Sequence, residues 1–434
     1  SVTEFIKRKN IRTVQIGYAD IQGVLRGKYI PSQFFIDTLD KGIPFCVVAL
    51  GWDIQCEIIE GIPLSSWANG FPDFIAKADL STFQVLPWRE NTAFVMCDIF
   101  TEEGEPFPLA PRTVLKNVIA ECNKMGYTPN TASELEFYLL KEDMRTPLYK
   151  GIQCYNIYKG SLVEFILSEI REKMAELDIY IEASNTEYGP AQIEVNLRYS
   201  EALNCADKTV LFKNGVKEIA AQHNLCATFM SKPWHGESGN GYHVHQSLWD
   251  IKSEKNLFAT GGHELNELMK NYLGGLLKYA SDIYVLGAWS VNSYKRVAPY
   301  SYSPTRINWG IDNRTTAMRP VVGGGNGTRI ENRMGAGEAN PYLIFAGNIA
   351  AGLEGIKSKA EIPDPIAGDG YADGTGDLLP TTLDQALDKF ANSELRSYFN
   401  QEFADTFLTI GKFEVEQFRK VVHEWERERY LEMV

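Results

Sequence analysis

Hydrophobic and polar positions repeat with two different periods along the chain. Over the first hundred or so residues the period is two: TVQIGYADIQGVLRGKYIP (13–31) alternates apolar and polar positions around an Asp-Ile-Gln-Gly turn. TAFVMCDIF (92–100) reads as a further, more apolar strand, closed by the turn TEEGEP and the proline-rich EPFPLAP. The period then lengthens. RTVLKNVIAECNKMGY (112–127) carries its apolar residues at helical spacing and ends at Gly126, and YTPNTASELEFYLL returns to strand. Helices are also predicted over 161–177, 206–223, 263–282 and 340–358, with a charged amphipathic helix over 400–431. Strands and helices do not alternate strictly, which predicts an α+β fold rather than a doubly wound one. The change of style places a domain boundary near 105–110, dividing the chain into 1–106 and 107–434. There are no internal repeats.

The strands of the second unit share an unusual polar face. Side chains two apart on a strand point the same way, so Glu134 and Glu136 of SELEF lie side by side, about 7 Å apart along the strand. Such neighbours repel, and each tends to stay protonated unless something compensates. The pattern recurs: Gln192, Glu194, Asn196 and Arg198 in AQIEVNLRY; His243, His245 and Ser247 in GYHVHQSLW; Arg329, Glu331 and Arg333 in TRIENRM. Glu187 precedes Glu194 by seven residues. One such strand alone is usually a solvated sheet face. Several together, joined by the glycine-rich loops GESGNGY and VVGGGNGTRIENR, gather up to five carboxylates and a histidine, which calls for bound cations. Oxygen-rich ligands with one imidazole suit Mg²⁺ or Mn²⁺, and Mg²⁺ held by few carboxylates usually serves a nucleotide's phosphates. Arg296, Arg314, Arg319, Arg329 and Arg333 suit phosphates and carboxylates. These residues point to divalent-metal phosphoryl transfer on a sheet.

Composition narrows the partners. Of 434 residues, 44% are hydrophobic and 23% charged, as in an ordinary soluble protein. The net charge of −13, with both signs interspersed, argues against nucleic acid or an anionic membrane as a partner. No apolar run is long enough to span a membrane, and SVTEFIKRKN lacks the pattern of a signal peptide. Seven scattered cysteines without a CxxC pair read as free thiols of a cytoplasmic protein.

Taken in order, SELEFYLL, NTEYGPAQIEVNL, KPWHGESGNGYHVHQSL, NSYKRVAPYSYSP, DNRTTAMRP and RIENRMGAGEANPYLIFAGNIAAGLEGI closely resemble the glutamine synthetase family, over roughly 132–356. The resemblance implies a small N-terminal β-grasp domain and a larger catalytic domain whose curved, mostly antiparallel sheet is backed by helices. It also implies a ring, commonly two stacked hexamers, with active sites between neighbouring subunits. By motif, Glu136, Glu187 and Glu194 would hold the metal nearest the substrate, and Glu134, His243 and Glu331 the metal at the ATP phosphates, with two or three Mg²⁺ or Mn²⁺ per site. His245, Ser247 and Arg329 fall where the family contacts the nucleotide. Arg296 and Gly239 fall at the glutamate site, and Arg314, Arg319 and Arg333 where phosphate charge is neutralised. Every metal-ligand position keeps a competent residue, which weighs against a non-catalytic assembly or sensor protein; a related guanidino kinase fits the ordered motifs poorly. The implied chemistry is attack of the glutamate γ-carboxylate on ATP, then displacement of phosphate by a nitrogen nucleophile.

Three positions depart from glutamine synthetase proper. The flap glutamate expected after Arg296 is Tyr302, the ammonium-binding aspartate expected after Pro44-Phe45 is Cys46, and an expected asparagine is Ser238. Losing both acids removes the groups that would bind ammonium and take its proton. Cys46 and Tyr302, beside Val47, Val48, Trp52 and Tyr300, leave a less charged amine pocket. The departures resemble the γ-glutamylamide branch of the family, with an aromatic or bulky apolar amine as the expected acceptor. The alternatives are a polyamine or alkylamine ligase, with Asp53 or Glu57 meeting a distal ammonium, and an ordinary glutamine synthetase in which one of those acids takes over.

Overall fold

Two sheets hold the strands of the computed structural model, which describes residues 1–434. The first is built from β1 (Thr13–Ala19), β2 (Leu25–Pro31), β3 (Ile43–Cys46), β4 (Asp73–Ala78), β5 (Gln84–Val85) and β6 (Thr92–Phe100), in the order β2-β1-β6-β4-β3 with β5 on β6. β1 and β2 form the expected hairpin, and β1 runs parallel to β6, the one parallel pair of the sheet. Tyr18, Phe45 and Phe74 pack edge to face and stacked against one another at its centre. This is the β-grasp-like unit.

The second sheet has eight strands, every pair antiparallel: β7 (Tyr127–Lys141), β8 (Ile181–Thr186), β9 (Gln192–Leu197), β10 (Ser200–Glu201), β11 (Leu225–Thr228), β12 (Tyr242–Asp250), β13 (Met318–Val321) and β14 (Arg329–Asn332). The order is β13-β14-β12-β7-β9-β8, with β10 and β11 also on the long β7. Its apolar face (Leu135, Phe137, Ile193, Val195, Val244, Leu248, Ile330) is buried. Helices Pro111–Lys124, Ala202–Gln222 and Pro341–Ser358 back the sheet, and Glu267–Lys278 packs on the last of these. Polar links cross that layer: Gln246 bonds Asn348 at 2.9 Å and accepts from Tyr272 at 2.7 Å, Asn332 donates to Asn348 at 2.8 Å, and Ser133 bonds Thr209 at 2.7 Å. A single apolar core runs through both units, so the polar face is carried on a stiff support.

Three predicted helices are interrupted. Residues 161–177 divide into Ile157–Ser161 and Glu164–Ala175, because fully buried Val163 leaves the helical region (φ −117°, ψ 0°) to reach the core. The 263–282 segment starts at Glu267, where Asn266 caps Met269, and a second helix, Ala280–Gly287, follows a break at Tyr279. The C-terminal segment is Gln401–Lys420 and Glu424–Tyr430, parted by extended Val421. No helix is long and apolar enough to cross a membrane.

Candidate active site

Strand register turns the polar face into ranks of side chains. Asn185, Glu194 and Glu136 stand opposite one another across β8, β9 and β7. In the next rank Asn196, Glu134 and His243 cross β9, β7 and β12. In the third, His245, Glu331 and Arg319 cross β12, β14 and β13. Opposed residues on one face have Cβ atoms about 5 Å apart, so the ranks bring carboxylates into direct contact with imidazoles and guanidinia.

The second rank is tightly bonded. His243 Nδ1 lies 2.6 Å from Glu134 Oε1 and 3.2 Å from Glu331 Oε1. Arg329 Nε donates to His245 Nδ1 at 2.9 Å, so His245 presents Nε2–H to Glu134 Oε2, 3.2 Å away. Buried Glu331 also accepts from Arg333 at 2.6 Å and Arg319 at 2.9 Å. Ligand atoms of Glu134, His243 and Glu331 all lie within 4.8 Å of one another. Two carboxylates and an imidazole at that spacing fit a divalent cation of the Mg²⁺ or Mn²⁺ type.

Charge differs across the face. Burial pushes the Glu134 carboxyl up, but hydrogen bonds from His243 and His245, with the charge on His243, outweigh it and hold it well below the ordinary range. Like-charge repulsion therefore does not keep Glu134 protonated; the two imidazoles supply the compensation that the pairing of acids calls for. Glu331 is likewise held low: burial opposes it, and Arg333 and the imidazoles prevail. His243 is pushed down by burial and Arg333, yet its two carboxylate partners raise it to about 9. The first rank, and Glu187 just beyond the end of β8, have no such partners. Burial, then Glu136, raises Glu187 to about 7, and burial with Glu134, Glu136 and Glu187 raises Glu194 to about 9. Acids that repel one another into the neutral form fit a second cation.

These residues line one cavity of about 890 Å³, with Arg296, Arg314, Arg319, Arg329 and Arg333 facing the acids. Arg296 is buried, donates to the carbonyls of Met334 (2.9 Å) and Gly335 (2.8 Å), and keeps Nε without a partner, as does Arg333. Ser238 and Gly239 lie on the same wall. A Cβ at Gly239 would come 2.5 Å from Arg296 Cγ, so only glycine lets loop and guanidinium approach. Gly241 N donates to Glu136 Oε2 at 2.6 Å. An adjoining cavity of about 370 Å³ shares Glu134, His245 and Arg329 and is where Ser247 lies.

Tyr302 reaches the cavity from the loop after Arg296. Its ring stacks on Tyr188 (5.8 Å, 29°), and its carbonyl accepts from Arg333 at 3.4 Å. Tyr300 and Tyr302 both hold left-handed backbone (φ 61° and 59°), a conformation that costs a side-chain-bearing residue about 1 kcal/mol or more. Tyr300 points away, 70% exposed and tilted against Tyr371. Cys46 and Trp52 do not line the cavity of their own chain: Cys46 is exposed on β3, and Trp52 lies under the Arg26 guanidinium. Asp53 accepts from the backbone of Gln55 and Glu57, holding its own turn. Cys154, Tyr155, Tyr188, Asn185 and Ser301 line the cavity without having been singled out in the sequence. Only Tyr188, adjoining Glu187, carried a signal; Cys154 and Tyr155 sit in a loop with no periodicity.

The glutamine synthetase catalytic-domain family model matches residues 108–430. A glutamate–isopropylamine ligase of Pseudomonas sp. is 36% identical, with 100% of this chain and 98% of that protein covered. A γ-glutamylethanolamide synthetase of Streptomyces coelicolor is 37% identical, covering 98% and 93%. Among solved structures, a GmaS/ADP complex superposes with a TM-score of 0.90 at 29% identity, covering 99% of each chain.

Proposed function

The chain belongs to the glutamine synthetase family, and we propose that it is a glutamate–amine ligase acting on an aromatic or bulky apolar amine through γ-glutamyl phosphate. One observation carries this reading: a single cavity sets five carboxylates and two histidines against five arginines, with tyrosines rather than an additional acid beside them. A γ-carboxylate oxygen of glutamate attacks the terminal phosphorus of ATP, the bond to ADP breaks, and the amine nitrogen then attacks the acyl carbon. Phosphate leaves, and the amine's proton passes to solvent.

Arg296 and Gly239, with Ser238, bind the glutamate. Arg314, Arg319 and Arg333 neutralise the phosphoryl oxygens, and His245, Ser247 and Arg329 face the nucleotide. Glu134, His243 and Glu331 would hold one Mg²⁺ or Mn²⁺ and Glu136, Glu187 and Glu194 a second; when bound, the ions offset charge on the phosphates. Cys154, Tyr155, Tyr188 and Tyr302 supply an amine wall with apolar faces and no free carboxylate. That wall disfavours ammonium and polyamines, whose charges need acidic partners. An aliphatic ammonium has a pKa of about 10.4 and must shed a proton first, whereas an arylamine is already neutral. The isopropylamine and ethanolamide relatives favour a second reading, a small alkylamine acceptor.

The same proposal divides the chain into an N-terminal unit (1–106) and a catalytic unit (107–434). It places the protein in the cytoplasm as a ring, of two stacked hexamers, in which Cys46, Trp52 and Tyr300 serve a site between subunits. The test is phosphate release and amide formation with ATP, Mg²⁺ and glutamate against ammonium, putrescine, isopropylamine, ethanolamine and aniline. Aniline is expected to be fastest, and isopropylamine or ethanolamine as the best acceptor would favour the second reading. Ammonium as the best acceptor would overturn the amine assignment, and silence with every amine would overturn the enzyme.

A further inference from the structure

Glu338 precedes the Asn340 cap of helix Pro341–Ser358, outside the cavity lining. Its carboxylate accepts three hydroxyl hydrogen bonds: Ser290 Oγ and Ser293 Oγ each donate to Oε1 at 2.6 Å, and Ser231 Oγ donates to Oε2. Lys213 Nζ fixes the backbone on either side, donating to the carbonyls of Gly337 (3.1 Å) and Ala339 (3.2 Å). The serines belong to two separate segments. Asn292 stitches these together again, accepting from Lys232 N at 2.7 Å and donating to Lys232 O at 3.0 Å.

Each segment ends in the glutamate site. Ser293 opens the 3₁₀ turn Ser293–Arg296, whose last residue is Arg296. The Ser231 carbonyl accepts from Asn240 N at 2.8 Å, closing the loop that carries Ser238 and Gly239. Gly239 packs so closely on both Arg296 and the Ser231 carbonyl that an added Cβ would lie 2.5 and 2.7 Å from them. A small slip between the segments therefore reaches the guanidinium directly. Three hydroxyls that all donate need a group that only accepts. A carboxylate is such a group, whereas an amide turns N–H donors towards at least one of them.

We infer that Glu338 is a positioning residue for the glutamate subsite, clamping the 229–241 loop to the 289–296 turn so that Arg296 and Gly239 meet the substrate in fixed geometry. This rests on the reading of Arg296 as the glutamate anchor. Glu338→Gln, which keeps shape and volume, is expected to raise KM for glutamate on the order of tenfold, the loss of about one charge-assisted hydrogen bond. KM for ATP should stay within about twofold. Ser293→Ala, which removes one donor and leaves the acid in place, should shift KM for glutamate the same way but less. Hydrogen exchange in intact protein should show loss of protection in both 229–241 and 289–296 for Glu338→Gln. Unchanged protection would overturn the clamp. Lost protection with glutamate and ATP KM values moving equally, or neither moving, would overturn its link to glutamate. Arg296→Gln is run alongside: if KM for glutamate ignores that change, the anchor assignment fails, while the exchange result still judges the clamp.

Discussion

Glu134 and Glu194 stand on neighbouring strands of one polar face, and their carboxyls are pushed in opposite directions because only Glu134 has imidazole partners. The raised groups have a consequence for stability. A proton held by Glu187 or Glu194 in the fold, above the range of the unfolded chain, stabilises the fold at low pH. That contribution is lost as pH rises through about 7 for Glu187 and about 9 for Glu194 and His243. The melting temperature of metal-free protein should therefore fall between pH ~5 and ~9, and saturating Mg²⁺ should flatten the curve. Glu194→Gln should raise the metal-free melting temperature at high pH and weaken the response to Mg²⁺, both readable by calorimetry. At the proposed amine wall, Tyr302→Glu puts a charge beside the sheet acids where a ring now stacks on Tyr188. Turnover of aniline and isopropylamine should fall by about tenfold or more, from lost apolar contact and an unpaired charge. Unchanged turnover would mean that Tyr302 does not line the amine site.

At the scale of elements, Arg112 is the join between the two units. It lies in the first turn of helix Pro111–Lys124, and its buried guanidinium binds Asp79 just after β4, Asp98 on β6 and Asp207 from helix Ala202–Gln222. Asp207 also accepts from Tyr342 at 2.6 Å. Arg112→Ala leaves three carboxylates facing one another and should cost about 3–5 kcal/mol of unfolding free energy, measured by denaturant titration. Nothing in RTVLKNVIAEC marks that arginine as buried; a charged residue in a first turn reads as solvated until three distant acids are seen to converge on it. The polar face shows the same division between the legible and the hidden. Period-two alternation showed that Glu134 and Glu136 share a side, and the resemblance grouped Glu134 with His243 and Glu331. Alternation alone could not set Glu134 opposite His243 or His245 opposite Glu331, because register depends on pairing between strands far apart in sequence. The helix breaks at Val163 and Tyr279 were hidden for a related reason: tertiary burial overrode a continuous apolar period.

For the whole molecule, Cys46 and Trp52 lie off the cavity of their own chain, which the proposed ring accounts for by giving them to a neighbour. Trp52→Ala and Arg333→Ala should each impair the assembled enzyme. Mixed assemblies of the two should recover part of the activity, since some sites then receive both native residues. No recovery in mixed assemblies of verified composition would place each site within one chain. The Tyr302 loop bears on a different account, that of ATP spent against amide made. Its carbonyl is tied to Arg333 and its ring to Tyr188, so backbone and side chain fasten it independently. The proposed acyl phosphate, beneath a loop held at only one of these points, would meet water as well as amine. Tyr188→Ala should thus leak, releasing more phosphate than amide, and the ratio of the two products measures how far a pair of rings keeps hydrolysis out.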